Sequence, residues 1–181
     1  MVAKIIDGHA VARQVLAECA QQVKDLAQRG VTPGLAVIVV GDDPASQVYV
    51  ANKVKACAEV GLQSTRYAFA ADTPDTVVEA EIMRLNGDPT VHGILVQLPL
   101  PKHFDARRVL AAIARDKDVD GFHLYNMGAL VQGETVFPPC TPYGVQKMLE
   151  FEQIRIEGQN VVVVGASNIV GKPMALMLMQ K

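Results

Sequence analysis

Apolar positions along this chain follow two alternating rhythms, one of helices and one of buried strands. Residues 8 to 29 carry Val11, Val15, Leu16, Cys19, Val23 and Leu26 at helical spacing, and Gly30 stops them. Leu35 to Val40 is an unbroken apolar run of β-branched character, which suits a parallel strand covered on both faces. Asp43-Pro44 reads as an N-cap followed by proline at the first helical position, and the helix it opens runs to Val60, with Gly61 as its stop. Thr65 to Phe69 predicts a second strand. Thr73-Pro74-Asp75 opens a helix with Val77, Val78, Ile82 and Leu85 on one side, ended by Asn86-Gly87. Gly93 to Leu98 predicts a third buried strand, and residues 105 to 114 a short helix. From 115 to 140 the chain is rich in Gly, Asn and Pro and reads as irregular, with a short hairpin around Gln132-Gly133-Glu134. Thr141-Pro142 begins another helix by the same cap logic. Val161-Val-Val-Val-Gly165 then enters a fresh strand-to-helix unit.

Strand and helix in alternation, with apolar strands, predict an α/β fold on a parallel sheet. The change of character between 115 and 141 predicts a boundary, with residues 1–140 forming one domain and 141–181 opening a second. Composition narrows the function classes. Half of the 181 residues are apolar and the net charge is −2, with acids and bases interspersed. A nucleic-acid surface needs a clustered basic face, and none is visible. No apolar run approaches the roughly 18 residues of a membrane span. Met1 to Asp7 carries a charge at once and lacks the apolar centre of a secretory leader. Three separated cysteines, Cys19, Cys57 and Cys140, read as reduced thiols. A cytoplasmic enzyme or binding protein is the expectation. The four histidines lack metal-ligand spacing, so no metal site is expected.

In an open parallel sheet, ligands bind beyond the carboxyl ends of the strands. Three polar features fall at such ends. The first is the turn after Val40, which launches a helix carrying Tyr49 and Lys53 four residues apart and hence on one face. A lysine there is either a solvated surface charge or an acid/base. A neighbouring ring that limits water access would favour the second role by lowering its hold on the proton. The second is Gln97, the one polar side chain in Ile94 to Leu98, which must bond either backbone or ligand. The third is Lys117-Asp-Val-Asp-Gly-Phe-His123, where Asp120 beside a glycine either caps a turn or holds a substrate amine. Farther on, Gly165-Ala-Ser-Asn-Ile-Val-Gly171-Lys-Pro follows a Val-rich segment and opens a helix. Glycine permits a tight turn there, and backbone N–H groups at a helix start attract phosphate. An ordinary strand-to-helix turn would look the same.

Six segments together resemble the bifunctional methylenetetrahydrofolate dehydrogenase/methenyltetrahydrofolate cyclohydrolase family. They are Ile6-Asp7-Gly8, Ser46-x-x-Tyr49-Val50-x-x-Lys53, Gly93 to Pro101, Lys117 to His123, Pro139-Cys-Thr-Pro142 and Val164 to Met174, in the family's order and across essentially the whole chain. The resemblance implies an N-terminal three-layer, parallel-sheet catalytic domain that binds folate, followed by the start of a Rossmann NADP-binding domain. It implies oxidation of 5,10-methylenetetrahydrofolate with NADP, then hydrolysis of the methenyl cation to 10-formyltetrahydrofolate. It implies that Lys53 is the acid/base of the hydrolysis, that Tyr49 packs on the folate and orients Lys53, and that Gln97 bonds and tunes Lys53. Asp120 would hold the pterin ring, and Gly165, Ala166 and Ser167 would lie against the dinucleotide. A homodimer built mostly by the cofactor domain is implied as well.

Two features depart from the family pattern. Ala166 stands where many relatives carry an arginine that assists phosphate recognition, which leaves the choice between NADP and NAD open. The residue that selects the ribose 2′ group is expected roughly 20 residues beyond the glycine turn, and the chain ends at Lys181. The expectation is a fragment, whose apolar helix Met174-Ala-Leu-Met-Leu-Met179 has nothing to pack against. Two rival readings stand beside the enzyme. One is a folate-binding remnant without dehydrogenase activity. The other is a different two-domain dehydrogenase, such as one acting on amino acids, which Asp120-Gly-Phe-His and the Tyr49/Lys53 pair argue against.

Overall fold

The computed structural model describes residues 3–181. Met1 and Val2, the start of the segment read for a leader, lie outside the described residues. The chain forms two compact units, one of residues 16–119 and one of residues 3–15 with 120–181.

The first unit is built on three parallel strands, β1 (Gly34–Val40), β2 (Gln63–Phe69) and β3 (Gly93–Val96), in the order β2-β1-β3. In register, Val40 pairs with Phe69 on one side and Ile38 with Val96 on the other. Side chains alternate across β1, so its apolar run feeds two cores. Ala36, Ile38 and Val40 meet Val78, Ile82 and Leu85 of α3 (Asp75–Asn86) and Val109 of α4 (Ala106–Ala111) on one face. Val37 and Val39 meet Val50 and Val54 of α2 (Pro44–Val60) on the other. The unit is therefore three layers, as expected, and every side chain from Ala36 to Val40 is buried. After α4 the chain returns beside β3, where Ile94 N–H donates to the Lys117 carbonyl at 2.7 Å.

Local chemistry explains the boundaries. The Asp43 carboxylate accepts the Ser46 N–H at 2.8 Å, Pro44 opens α2, and Gly61 closes it in the left-handed conformation. Asp7 caps α1 (Gly8–Gln28) through the N–H groups of His9 and Ala10. The stripe read in the sequence is what α1 half-buries: Val15, Leu16, Cys19, Val23 and Leu26 are partly covered.

The second unit departs from expectation in five places. Residues 124–132, read as irregular with a hairpin nearby, form α5 (Leu124–Gln132). Gly133, read as a hairpin turn, is its left-handed C-cap at φ 81°. Helix α6 (Cys140–Phe151) starts one residue before Thr141, after Pro139. Val161 to Val164, read as a strand, pairs with no strand among the described residues, and Val162 and Val164 are 86% and 96% exposed. A parallel strand is stable only when neighbours take up its N–H and C=O groups, and β-branched composition cannot replace them. Lastly, the apolar helix α7 (Gly171–Met179) packs against α5 and α6, burying Met174 and Met177. The Gln180 amide secures its end by donating to the Leu130 carbonyl.

Candidate active site

Strand order decides where a ligand can bind in the first unit. From β1 the chain runs through α2 to β2 on one side, then through α3 to β3 on the other. Right-handed crossovers in opposite directions put α2 and α3 on opposite faces of the sheet. Ligands of such sheets bind beyond the carboxyl ends of the strands where the direction reverses, which here are β1 and β3. Two of the predicted residues occupy that point.

Gln97 follows directly on β3. Its backbone N–H extends the ladder by donating to the Ile38 carbonyl at 2.9 Å, and the residue is half-buried just past the strand. Its side-chain amide donates through Nε2 to the Leu98 carbonyl at 2.7 Å. That bond fixes the amide's orientation and turns Oε1 outward, where it accepts from Lys53 Nζ at 3.2 Å. Lys53 reaches it from α2 and is half-buried. Lys55, two residues on, is 77% exposed and pairs loosely with Glu59 at 3.9 Å. It is the solvated helix-face lysine that Lys53 is not.

Tyr49, one turn before Lys53 on α2, is 64% exposed, so its ring presents a flat surface at the same helix face. The α2 entry is braced by residues the sequence did not single out. Gln47 Nε2 donates to the Gly41 carbonyl at 3.3 Å, and Arg66 of β2 donates to Gln47 Oε1 at 2.6 Å. Gly41 N–H donates in turn to the Phe69 carbonyl. The only sequence signal was proximity to Tyr49.

The chemistry of Lys53 follows from its partner. Gln97 Oε1 is a neutral acceptor and asks only for one N–H. An amine and an ammonium can both supply it, so Lys53 can exchange a proton without breaking its tether. A carboxylate in that place would hold the ammonium instead.

In the segment that closes the first unit and opens the second, Lys117 proves structural. Its Nζ donates to the Leu85 and Asp88 carbonyls at 3.0 and 2.8 Å, capping the end of α3. Asp120 belongs to the second unit and is partly buried. Its Oδ1 accepts from Cys140 Sγ at 3.7 Å. Next to it, Gly121 has φ 68°, and a Cβ there would stand 2.4 Å from the Phe137 carbonyl oxygen. Only glycine allows this approach.

The dinucleotide candidates Gly165, Ala166 and Ser167 are exposed in the turn before α7. Gly165 has φ 135°, and a Cβ on Gly171 would come within 2.3 Å of the Gly165 carbonyl oxygen. Two glycines therefore make the turn as tight as a diphosphate approach requires. Ser167 Oγ accepts the N–H groups of Val170 and Gly171 at 3.1 and 3.2 Å, so its hydroxyl caps α7. These residues fit the phosphate end of a dinucleotide. Among the described residues, no group of three or more His, Cys, Asp or Glu side chains could hold a metal ion, and no helix is long and apolar enough to cross a membrane.

The chain is similar to known proteins in sequence and in fold. Residues 6–120 match the family model of the tetrahydrofolate dehydrogenase/cyclohydrolase catalytic domain, and residues 139–181 that of the NAD(P)-binding domain of the same proteins. The bifunctional protein FolD of Nitrosospira multiformis is 60% identical over 181 residues, covering 100% of this chain and 63% of the relative. That of Bordetella bronchiseptica is 57% identical over 180 residues, covering 99% and 64%. In structure, the chain is similar to the FolD methylenetetrahydrofolate dehydrogenase/cyclohydrolase of Campylobacter jejuni, with a TM-score of 0.95 and 47% identity over 98% of this chain and 63% of that one. It is similar also to the Trypanosoma brucei enzyme complexed with NADP cofactor and inhibitor, with a TM-score of 0.93 and 37% identity over 98% and 61%. The chain thus spans a little under two thirds of the length of the relatives it matches. It belongs to the tetrahydrofolate dehydrogenase/cyclohydrolase family.

Proposed function

We propose that this chain carries the folate site of a bifunctional one-carbon enzyme. The enzyme oxidises 5,10-methylenetetrahydrofolate to the methenyl form with NADP and hydrolyses that product to 10-formyltetrahydrofolate. The observation that carries the reading is the 3.2 Å bond from Lys53 Nζ to Gln97 Oε1 at the reversal point of the sheet. Family membership names the substrate that such a pair would serve.

In this proposal residues 1–140 form the catalytic domain and 141–181 begin the cofactor domain. Tyr49 stacks on the folate, and its exposed ring supports that role. Asp120 receives the N–H donors of the pterin. Lys53 takes a proton from the water that adds to the methenyl carbon and returns one to the departing ring nitrogen. Gln97 keeps Nζ in place through both transfers. NADP, when bound, supplies the hydride acceptor for the oxidation. Gly165, Ala166 and Ser167 would seat its diphosphate, as the glycine-made turn favours. Cytoplasmic location, a homodimer, and supply of one-carbon units to purine, methionine and histidine synthesis carry over from the family.

A second reading, a folate-binding chain without dehydrogenase activity, is favoured by one observation: Val161 to Val164, before the turn, has no strand pairing. Two absorbance assays on the 181-residue chain separate the two. NADPH formation from methylenetetrahydrofolate supports the full enzyme. Hydrolysis or binding of methenyltetrahydrofolate without NADPH formation supports the second. Lys53→Met is expected to lower hydrolysis at least 100-fold, the usual scale of an acid/base residue, while folate still binds. Undiminished hydrolysis in that variant would remove Lys53 from the mechanism.

A further inference from the structure

Pro139-Cys-Thr-Pro142 is a motif to which the reading above gives no task. The structure places its Cys140 beside the Asp120 carboxylate. Three observations within the second unit converge. Gly121 lacks a side chain where a Cβ would overlap the Phe137 carbonyl at 2.4 Å and the Pro138–Pro139 backbone at 2.9 Å, so the 120–121 and 137–139 segments lie in direct backbone contact. Buried Pro139 caps α6, which makes Cys140 the first helical residue and fixes where its side chain starts. From there Cys140 Sγ lies 3.7 Å from Asp120 Oδ1, within thiol-to-carboxylate reach.

We propose that Cys140 is a positioning residue for Asp120. Its thiol donates to Oδ1 and holds the carboxylate in the rotamer that receives the N–H donors of the pterin. The inference rests on the folate reading above. A carboxylate on a short side chain rotates about two bonds, and a bidentate partner such as an amino-pyrimidine edge is recognised only in one orientation. A donor fixed to the first turn of α6 removes that freedom before the ligand arrives, so binding need not spend energy on it. A thiol suits the task because it can donate but carries no charge to compete with the ligand. Cys140 touches Asp120 and not the reacting carbon, so it acts on binding rather than on the chemical step.

The test is a binding titration of 5,10-methenyltetrahydrofolate on the 181-residue chain, followed by its absorbance, with Cys140→Ser, Cys140→Ala, Asp120→Asn and the Cys140→Ala/Asp120→Asn double variant. Cys140→Ala is expected to weaken binding about three- to tenfold, the effect of one modest hydrogen bond. Cys140→Ser, which restores a donor, is expected to recover most of it. In the Asp120→Asn background, Cys140→Ala should have little further effect, because the partner is already altered. Hydrolysis at saturating substrate should stay within about twofold throughout the Cys140 variants, since the role lies in binding. Equal affinity in Cys140→Ala and wild type overturns the proposal, and so do losses that simply add in the double variant. If Cys140→Ala fails to fold, Cys140→Ser carries the test alone against Cys140→Val, which fills the space without donating. Equal affinity of those two would overturn it. Failure of the wild-type chain to bind any folate strikes the functional reading instead, and so is distinguishable.

Discussion

At the scale of single residues, the pair that matters is Lys53 with Gln97, and the neutrality of the glutamine is the point. Gln97 Oε1 faces Lys53 because Nε2 is committed to the Leu98 carbonyl. Exchanging that amide for a carboxylate keeps the shape and changes the charge. Gln97→Glu would set an anion about 3 Å from Nζ, close enough to favour the ammonium strongly. The expected outcome is hydrolysis slowed about 10-fold or more near neutral pH. Gln97→Leu adds no charge and should slow hydrolysis less. Stopped-flow rates of methenyl hydrolysis decide it; an undiminished rate in Gln97→Glu would sink the argument. The pair was legible in sequence because both signals are local. Tyr49 and Lys53 share a helix face by spacing, and Gln97 is a polar residue ending an apolar strand. Cys140 was quoted without a task because its partner lies 20 residues away, across a segment the sequence presents only as glycines and prolines.

Elements were legible where local and tertiary preferences agree. β1 and α2 satisfied both: an apolar run that two helical layers cover, then an Asp-Pro cap with a glycine stop. They were misread where composition and packing diverge. Gly128 and Asn126 made residues 124–132 look like loop, yet Leu130 and Asn126 are buried and α7 packs on α5. Val161 to Val164 has a strand's composition without a strand's neighbours. Asn86 shows a subtler case, since Asn-Gly read merely as a helix end. Its amide donates to the Ala112 carbonyl and its Oδ1 accepts the Ala114 N–H, both at 2.8 Å, tying α3 to the end of α4. Asn86→Ala removes both bonds and leaves two backbone groups to find water. A loss of about 1–3 kcal/mol is expected in urea unfolding, with wild-type stability as the contrary result. Helix α6 carries an electrostatic counterpart. The Glu150 carboxyl is pushed down to about 2, first by the Gln146 amide donating at 2.7 Å and then by Lys147 and Lys181. A depressed folded value means that its stabilising effect is present above the ordinary 4.5 and is lost as pH falls toward about 2. Glu150→Gln should therefore lower stability at neutral pH, only modestly because the group is exposed, and flatten the fall over that window. Parallel acid profiles for variant and wild type would count against it.

Over the whole molecule, burial is uneven in a way that bears on function. Among the described residues, prolines aside, the buried apolar side chains other than Val11, Leu130, Met174 and Met177 belong to residues 16–119. Each such side chain contributes roughly 1.5–3 kcal/mol when fully covered, so the two units draw on very different reserves. The unit rich in core holds Tyr49, Lys53 and Gln97. The unit poor in core holds Asp120 and the Gly165–Ser167 turn, and its 159–167 stretch lies outside any helix or strand. Local opening follows buried apolar contact and backbone pairing. Lys53 and Gln97 should therefore keep their places after the segments around Asp120 and Gly165–Ser167 open as conditions become harsher. Hydrogen exchange read by mass spectrometry tests this directly. The amides of Ala36–Val40 and Gly93–Val96 are expected to exchange slowest, near the global unfolding limit. Those of 159–168 should exchange within seconds, and α5 to α7 between the two. Adding methenyltetrahydrofolate should slow exchange around 120–123 and 137–141, because a ligand held by Asp120 stabilises what surrounds it. Uniform protection across both units would contradict the uneven core. Protection by folate confined to α2 would contradict Asp120 as a ligand while leaving Lys53 and Gln97 in place.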